Sequence, residues 1–167
     1  MSTNKGMPNL HNSSISQVKV LELEDAIVRY GGSVPEGFNP DEIHWITTSR
    51  GYVGITDFEG SSTARDLGYV VINTAGELQL DSPAHFHFDV HPSSKEDMVA
   101  ELNKIAKCID NNIDEGVVVH CSMGMERSPI SVVWYMHTYQ GFTIDQAYDI
   151  VRQARPITMD HREWLDD

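Results

Sequence analysis

One stretch, Gly116-Val-Val-Val-His-Cys-Ser-Met-Gly-Met-Glu-Arg-Ser-Pro129, constrains the fold of this chain more than any other. The apolar run Val117-Val118-Val119 has the length and β-branched character of a buried strand. It ends at His120-Cys121, and after Arg127-Ser128-Pro129 comes an apolar segment long enough for a helix. Ser128 suits an N-cap and Pro129 the first helical position, so the spacing predicts strand, tight loop and helix. A loop feeding a helix N-terminus can turn its N–H groups inward and make a cradle for an anion. A cysteine on the floor of such a cradle is expected to be unusually acidic. An arginine at its rim can grip two oxygens of a phosphate at once.

The rest of the composition limits what can surround that loop. A chain of 167 residues fits one domain with a sizeable core. Residues 1–17, rich in Ser and Asn, read as a flexible tail, and 18–167 as a single domain. With Lys+Arg 12 against Asp+Glu 25, the net charge of −13 speaks against non-specific binding to nucleic acid or anionic membrane. No run of 18 apolar residues is present and the polar N-terminus lacks a signal-peptide core. Two cysteines make no disulfide framework, so a reducing, cytoplasmic setting is expected.

Taken in order, Val18 to Leu23 alternates like an edge strand, although Leu21 to Tyr30 has an equal claim to start a short helix. Gly31 to Pro40 is punctuated as a loop. Ile43–Thr48 and Tyr52–Ile55 read as two strands meeting at Ser49-Arg50-Gly51. Ser61–Leu67 reads as a short helix ended by Gly68, and Tyr69–Asn73 as a buried strand. His85–Val90 alternates, placing Phe86 and Phe88 on one face and His85 and His87 on the other. Ser93 or Ser94 then caps a helix, with Glu96 or Asp97 placed for a capping box and Met98, Leu102, Ile105, Ile109 and Ile113 along one stripe. Ile130–Met136 is apolar on nearly every side, Gly141 closes that helix, and Thr143 caps a last one, Ile144–Ala154. Alternating strands and helices predict a single α/β domain: a central, mostly parallel sheet flanked by helices, with the key loop between a central strand and a buried helix.

The pattern His-Cys-x5-Arg-Ser resembles the signature loop of the cysteine-dependent protein phosphatases, and Ser128-Pro129 with the small chain is most similar to their dual-specificity branch. Tyr52-Val53-Gly54 is similar to the family's early Tyr-Ile-Gly strand. Leu67-Gly-Tyr-Val-Val-Ile-Asn-Thr-Ala75 is similar to its Leu-Gly-Ile and "NVA"-type strand, and Gly141 to Pro156 to its final helices. The likeness runs from about Tyr52 to Pro156.

The resemblance implies hydrolysis of a phosphate ester at Cys121, whose thiol would fall from near ~8.5 to roughly 4–7 beside loop amides, a helix N-terminus and Arg127. Phosphate would be held by Arg127 and the amides of Ser122, Met123, Gly124, Met125, Glu126 and Arg127, with Gly124 easing the turn. The family's general acid is an Asp after the strand that precedes the long helix, and Asp89 stands in that place. Asp81 is a weaker candidate, and Asp97 is explained by helix capping. Ser128 would donate to the Cys121 sulfur, and His120 would orient the loop from below. No cofactor is implied.

Rival readings attach to the same residues. His85, His87 and His91 have the look of zinc ligands with Asp89 beside them, but no further ligand spacing accompanies them, and solvated strand histidines are preferred, with no metal. Cys108 is read as packing on the long helix. Glu126 either faces the substrate, where it would repel a second phosphate, or points to solvent and pairs with a nearby Lys or Arg. The expected partner is a phosphorylated protein or peptide, on phosphoserine/threonine and phosphotyrosine. A non-protein substrate (inositol phosphate, phosphoinositide or RNA 5′-triphosphate) is the alternative, and a phosphopeptide-binding module is the third reading. The intact Cys121, Arg127 and Asp89 argue against the third, since a binder needs neither nucleophile nor acid. A sulfurtransferase-like loop gives no reason for Ser128 and Asp89.

Overall fold

The structure, a computed structural model, describes residues 34–165. The expected tail, the edge strand at 18–23 and the alternative helix start at 21–30 lie outside the described residues. Among those described, five strands form one sheet: β1 (His44–Thr47), β2 (Tyr52–Thr56), β3 (Val70–Asn73), β4 (Phe86–His87) and β5 (Val117–His120). Their order is β1-β2-β5-β3-β4, with β1 antiparallel to β2 and every other pair parallel. The valine run is therefore the middle strand. Val117 and Val119 face the larger core while Val118 faces the smaller one, the period-two alternation of a strand buried on both sides.

Four helices cover the two faces: α1 (Phe58–Asp66), α2 (Lys95–Asn112), α3 (Arg127–Gln140) and α4 (Ile144–Ala154). Ala64 of α1 joins Ile43, Tyr69, Val71 and Val118 on one side. On the other, α2, α3 and α4 pack around Ile55, Ile72 and Val119. The predicted stripe on α2 is buried in full, from Met98 through Leu102, Ile105 and Ile109 to Ile113 just beyond its end. Each such side chain contributes on the order of 1.5–3 kcal/mol when withdrawn from water. Ser94 caps α2 by accepting from the Asp97 N–H. Gly141, at φ +79, closes α3, and Thr143 with Gln146 completes a capping box on α4.

Two expectations need correction. Helix α1 begins at Phe58, three residues before the expected Ser61, because the buried Asp57 carboxylate accepts the Gly60 N–H and starts the helix earlier. Strand β4 is only Phe86–His87, so the alternation does not carry through to Phe88. Phe88 packs against the main core, whereas Phe86 remains 40% exposed. No helix among the described residues is long and apolar enough to cross a membrane.

Candidate active site

The loop from Cys121 to Glu126 leaves the carboxyl end of the middle strand and enters α3. Each of its carbonyls is held from outside. Cys121 O accepts from His120 Nδ1, Ser122 O from the Phe58 N–H and Met125 O from the Met159 N–H. Arg155 takes two more, donating from Nε to Gly124 O at 2.8 Å and from Nη2 to Met123 O at 3.1 Å. Glu126 O accepts from Ile130 in the first turn of α3. In a trans peptide the N–H points opposite to the C=O, and the described peptides are all trans. Carbonyls turned outward at 121–126 therefore turn the N–H groups of 122–127 toward the concave side. Gly124 shows the result directly, donating its N–H to Cys121 Sγ at 3.3 Å. It also has to be glycine: φ is +70, and a Cβ would lie 2.6 Å from Arg155 Nη2 and 2.7 Å from Thr56 O.

Cys121, 2% exposed, lies at the floor of this cradle. Ser128 is not the N-cap that its residue type suggests. Helix α3 starts at Arg127, Ser128 lies inside its first turn, and its buried hydroxyl sits 3.3 Å from Cys121 Sγ. The nominal cap is Glu126, whose side chain makes no capping bond because it turns the other way. Glu126 Oε1 lies 2.8 Å from His161 Nε2, and His161 Nδ1 lies 3.0 Å from Glu163 Oε1. The imidazole is stacked on Trp164 with ring centroids 3.9 Å apart. Carboxylates only accept, so both ring nitrogens must carry protons. Burial pulls His161 down, but the hydrogen bonds to Glu126 and Glu163 outweigh it and hold its pKa above the usual value. The same bond from His161 holds Glu126 below the usual carboxylate range. Of the two readings of Glu126, the pairing one fits, with a histidine as the cation in place of Lys or Arg.

His120 ends β5 fully buried. Its Nδ1 must donate to Cys121 O, so Nε2 accepts from the Ser82 hydroxyl at 2.7 Å. Burial pulls its pKa down to about 4, which keeps it neutral. It touches the loop's backbone through its bond to Cys121 O. Arg155 is a residue that sequence reasoning misses. Fully buried, it also reaches Pro40 O and His44 Nδ1, the latter at 2.6 Å. Burial draws it down to about 10 against the opposing pull of Asp57, Cys121, Asp41 and Glu42, so it remains a cation at neutral pH. An Arg-Pro after the last helix was its one visible signal.

Arg127 is clamped. Its Nη1 and Nη2 donate to the two oxygens of Glu77 at 2.6 and 2.8 Å, from the short 3-10 turn Gly76–Leu78 that follows β3. Those bonds raise the guanidinium further and hold the Glu77 carboxyl down at about 2. Asp89 lies on the other side of the same turn. A Cβ on Gly76 would stand 2.4 Å from the Asp89 carboxyl carbon, which shows how closely that carboxylate is laid on the turn. Asp89 Oδ2 meets His91 Nε2 at 2.8 Å, and its backbone N–H donates to Glu101 of α2. Asp81 is exposed in the connector, and Asp97 sits in the first turn of α2, where a carboxylate suits the helix dipole.

The histidines disperse. His85 Nδ1 accepts the Val71 N–H, His87 lies against Asn73, and His91 pairs with Asp89. Among the described residues no three His, Cys, Asp or Glu side chains converge as metal ligands. Cys108 is half-buried on α2 near Asn112, and burial raises its thiol to about 11.

The chain is 30% identical over 93 residues to human protein phosphatase Slingshot homolog 2, covering 53% of this chain and 6% of that protein. It is 28% identical over 71 residues to the putative tyrosine phosphatase 123R of Invertebrate iridescent virus 6, covering 41% of this chain and 50% of that protein. The chain thus spans half or less of these curated relatives. A mouse putative dual specificity phosphatase solved with zinc tungstate superposes with a TM-score of 0.60 at 16% identity, over 79% of this chain and 86% of that one. The family model for the dual specificity phosphatase catalytic domain matches residues 66–166, more than half of the sequence, and the chain belongs to that family.

Proposed function

We propose that this domain is a phosphatase that hydrolyses phosphomonoesters on protein phosphoserine, phosphothreonine and phosphotyrosine through a phosphocysteine intermediate. The observation that carries the reading is the outward tethering of every carbonyl from Cys121 to Glu126 around a sulfur that faces Gly124 N–H and Ser128 Oγ. That concave ring of N–H groups, with Arg127 beside it, matches the three equatorial oxygens of a phosphoryl group in transfer. In the first step Cys121 sulfur attacks phosphorus, an S–P bond forms and the P–O bond to the leaving group breaks. Asp89, protonated, gives its proton to the departing oxygen. In the second step Asp89 takes a proton from water as that water attacks phosphorus, and the S–P bond breaks with Ser128 donating to the sulfur. Inorganic phosphate leaves. No metal or cofactor takes part in this scheme, and the working thiol suits a reducing compartment.

A monophosphorylated peptide is favoured over polyphosphorylated lipids, inositols or RNA ends. The loop positions 122–126 bring no lysine or second arginine for extra phosphates. The test is turnover of an activated aryl phosphate, then of phosphopeptides. Cys121→Ser is expected to abolish turnover while the protein still binds vanadate, and acid quenching of the parent is expected to trap phosphate on Cys121. Full activity in Cys121→Ser would end the proposal.

A further inference from the structure

Between Cys121 and Arg127 the anion loop carries a single charged side chain, Glu126, and its charge has the wrong sign for a phosphate site. Glu126 is next in sequence to the guanidinium at the rim and stands at the nominal cap of α3. A helix N-terminus and inward loop amides favour any anion in reach. That setting does not distinguish the loop's own carboxylate from a substrate oxyanion. On a flexible stem with no other cation to meet, Glu126 would turn to Arg127 and the rim of the cradle, where a phosphoryl group has to bind.

A segment beyond α4 draws it elsewhere. His161 Nε2 lies 2.8 Å from Glu126 Oε1, and Nδ1 lies 3.0 Å from Glu163 Oε1. The imidazole has little freedom. It is 5% exposed, it stacks on Trp164, and its backbone N–H donates to Tyr148 Oη of α4 at 3.2 Å. Two residues earlier the Met159 N–H donates to Met125 O, and one residue later the Arg162 guanidinium pairs with Asp160 and Asp145. The segment is pinned to the loop on one side and to α4 on the other, so it offers Glu126 a cation at a fixed place. The bond from His161 is the main pull that keeps Glu126 ionised, and the charge of Arg127 adds a smaller one.

We infer that His161 is a positioning residue of the anion site, which turns the Glu126 carboxylate away from Arg127 and so keeps the loop's own anion from competing with the phosphate of the substrate. The inference rests on the phosphatase reading and gives a part in it to a segment outside the loop. The imidazolium acts in two ways. It holds the carboxylate oxygens out of the rim, and it offsets their charge where an incoming phosphate dianion would meet it.

The alternative is a plain staple, in which the pair ties the segment to the loop and its loss costs stability without any bearing on competition. A double-mutant cycle separates the two. His161→Phe keeps a flat ring for Trp164 and removes both donors, His161→Gln keeps one donor, and Glu126→Gln removes the loop's charge. These variants and the pair His161→Phe/Glu126→Gln are compared with the parent, at a temperature where all are folded, for vanadate inhibition and for kcat and KM on an activated aryl phosphate. With Glu126 present, His161→Phe should weaken vanadate binding and raise KM roughly 10-fold or more, the scale of one uncompensated charge near the anion in a partly screened site. The change should fall on KM more than on kcat, as for a competitor displaced before the substrate binds. His161→Gln should lie between His161→Phe and the parent. With Gln at position 126 the same His161→Phe replacement should cost about 2-fold or less, since no competing anion is left to restrain. Equal losses in both backgrounds would overturn the inference and leave the pair a staple. Parent-like KM and vanadate affinity in His161→Phe would overturn it too, reducing the contact to a surface ion pair. If His161→Phe does not fold, His161→Gln takes its place in the cycle with the same outcomes. If the parent neither turns over the aryl phosphate nor binds vanadate, the phosphatase reading itself fails. If the parent does both and the cycle shows no coupling, the His161 inference alone falls.

Discussion

Replacing Arg155 with methionine tests how the anion cradle is held open. The side chain is fully buried and donates to Gly124 O, Met123 O, Pro40 O, Glu42 O and His44 Nδ1. Methionine fills a similar space but donates nothing, so the cost comes from acceptors left buried, at about 1–3 kcal/mol for each one that finds no new partner. Glu42 O, at 3.5 Å, is a weak acceptor, and Pro40 O lies outside the anion loop. The two loop carbonyls cannot relax without turning their peptides over. Those two set a loss of roughly 2–6 kcal/mol, reduced somewhat because a guanidinium no longer has to be desolvated. A value near 3–5 kcal/mol is expected, a large part of the stability of an ordinary domain. Urea unfolding followed by tryptophan fluorescence measures it. At a temperature where Arg155→Met is still folded, the variant should bind vanadate at least ~10-fold more weakly, as amides lost from an oxyanion site would require. A variant within about 1 kcal/mol of the parent that binds vanadate equally well would refute the idea that Arg155 holds the loop.

Further outcomes can be checked with the same assays. Asp89→Asn should lower kcat by roughly 10²–10⁴ on substrates with poor leaving groups and much less on an activated aryl phosphate; equal losses would move the acid elsewhere, to Asp81 first. Gly76→Ala puts a methyl 2.4–2.7 Å from the Asp89 carboxylate and should reproduce that leaving-group dependence in weaker form, with the fold retained. His161 is a cation when folded, with a raised pKa, so its contribution to stability is present in full below the unfolded value near ~6.5 and is lost as pH rises through the folded one. The gap in urea midpoint between the parent and His161→Asn should therefore narrow from pH 5 to 9, and a gap that widened would contradict the pairing with Glu126 and Glu163.

The middle strand, the loop and the α2 stripe were legible because each is a local pattern: three β-branched residues, a fixed spacing from Cys121 to Arg127, apolar residues on one helical face. Helix α1 was harder to place, since Phe58-Glu-Gly-Ser-Ser-Thr63 has low helical propensity and its start depends on Asp57 meeting the Gly60 N–H. Ser128 misled for an instructive reason. Serine next to Pro at a helix entry reads as a cap, and only the folded loop turns its hydroxyl onto the sulfur. Glu126 with His161, Arg127 with Glu77, and Gly124 with Arg155 join residues 35, 50 and 31 positions apart. Nothing in the local sequence signals such pairs, because each partner is also an ordinary surface or helix-end residue by type.

The tethers of the anion loop also order events during synthesis. Its carbonyls are held by Phe58, which precedes it by three strands and a long helix, and by Arg155 and Met159, which follow it by two helices. Contacts of such long separation form late, after local helices and the sheet. A ribosome-bound chain that already displays Cys121 still lacks the donors that turn Met123 O, Gly124 O and Met125 O outward. Its amides are then free to bond with water, and no oxyanion finds a cradle there. The sulfur therefore acquires the surroundings it has in the folded domain only after translation has passed Met159.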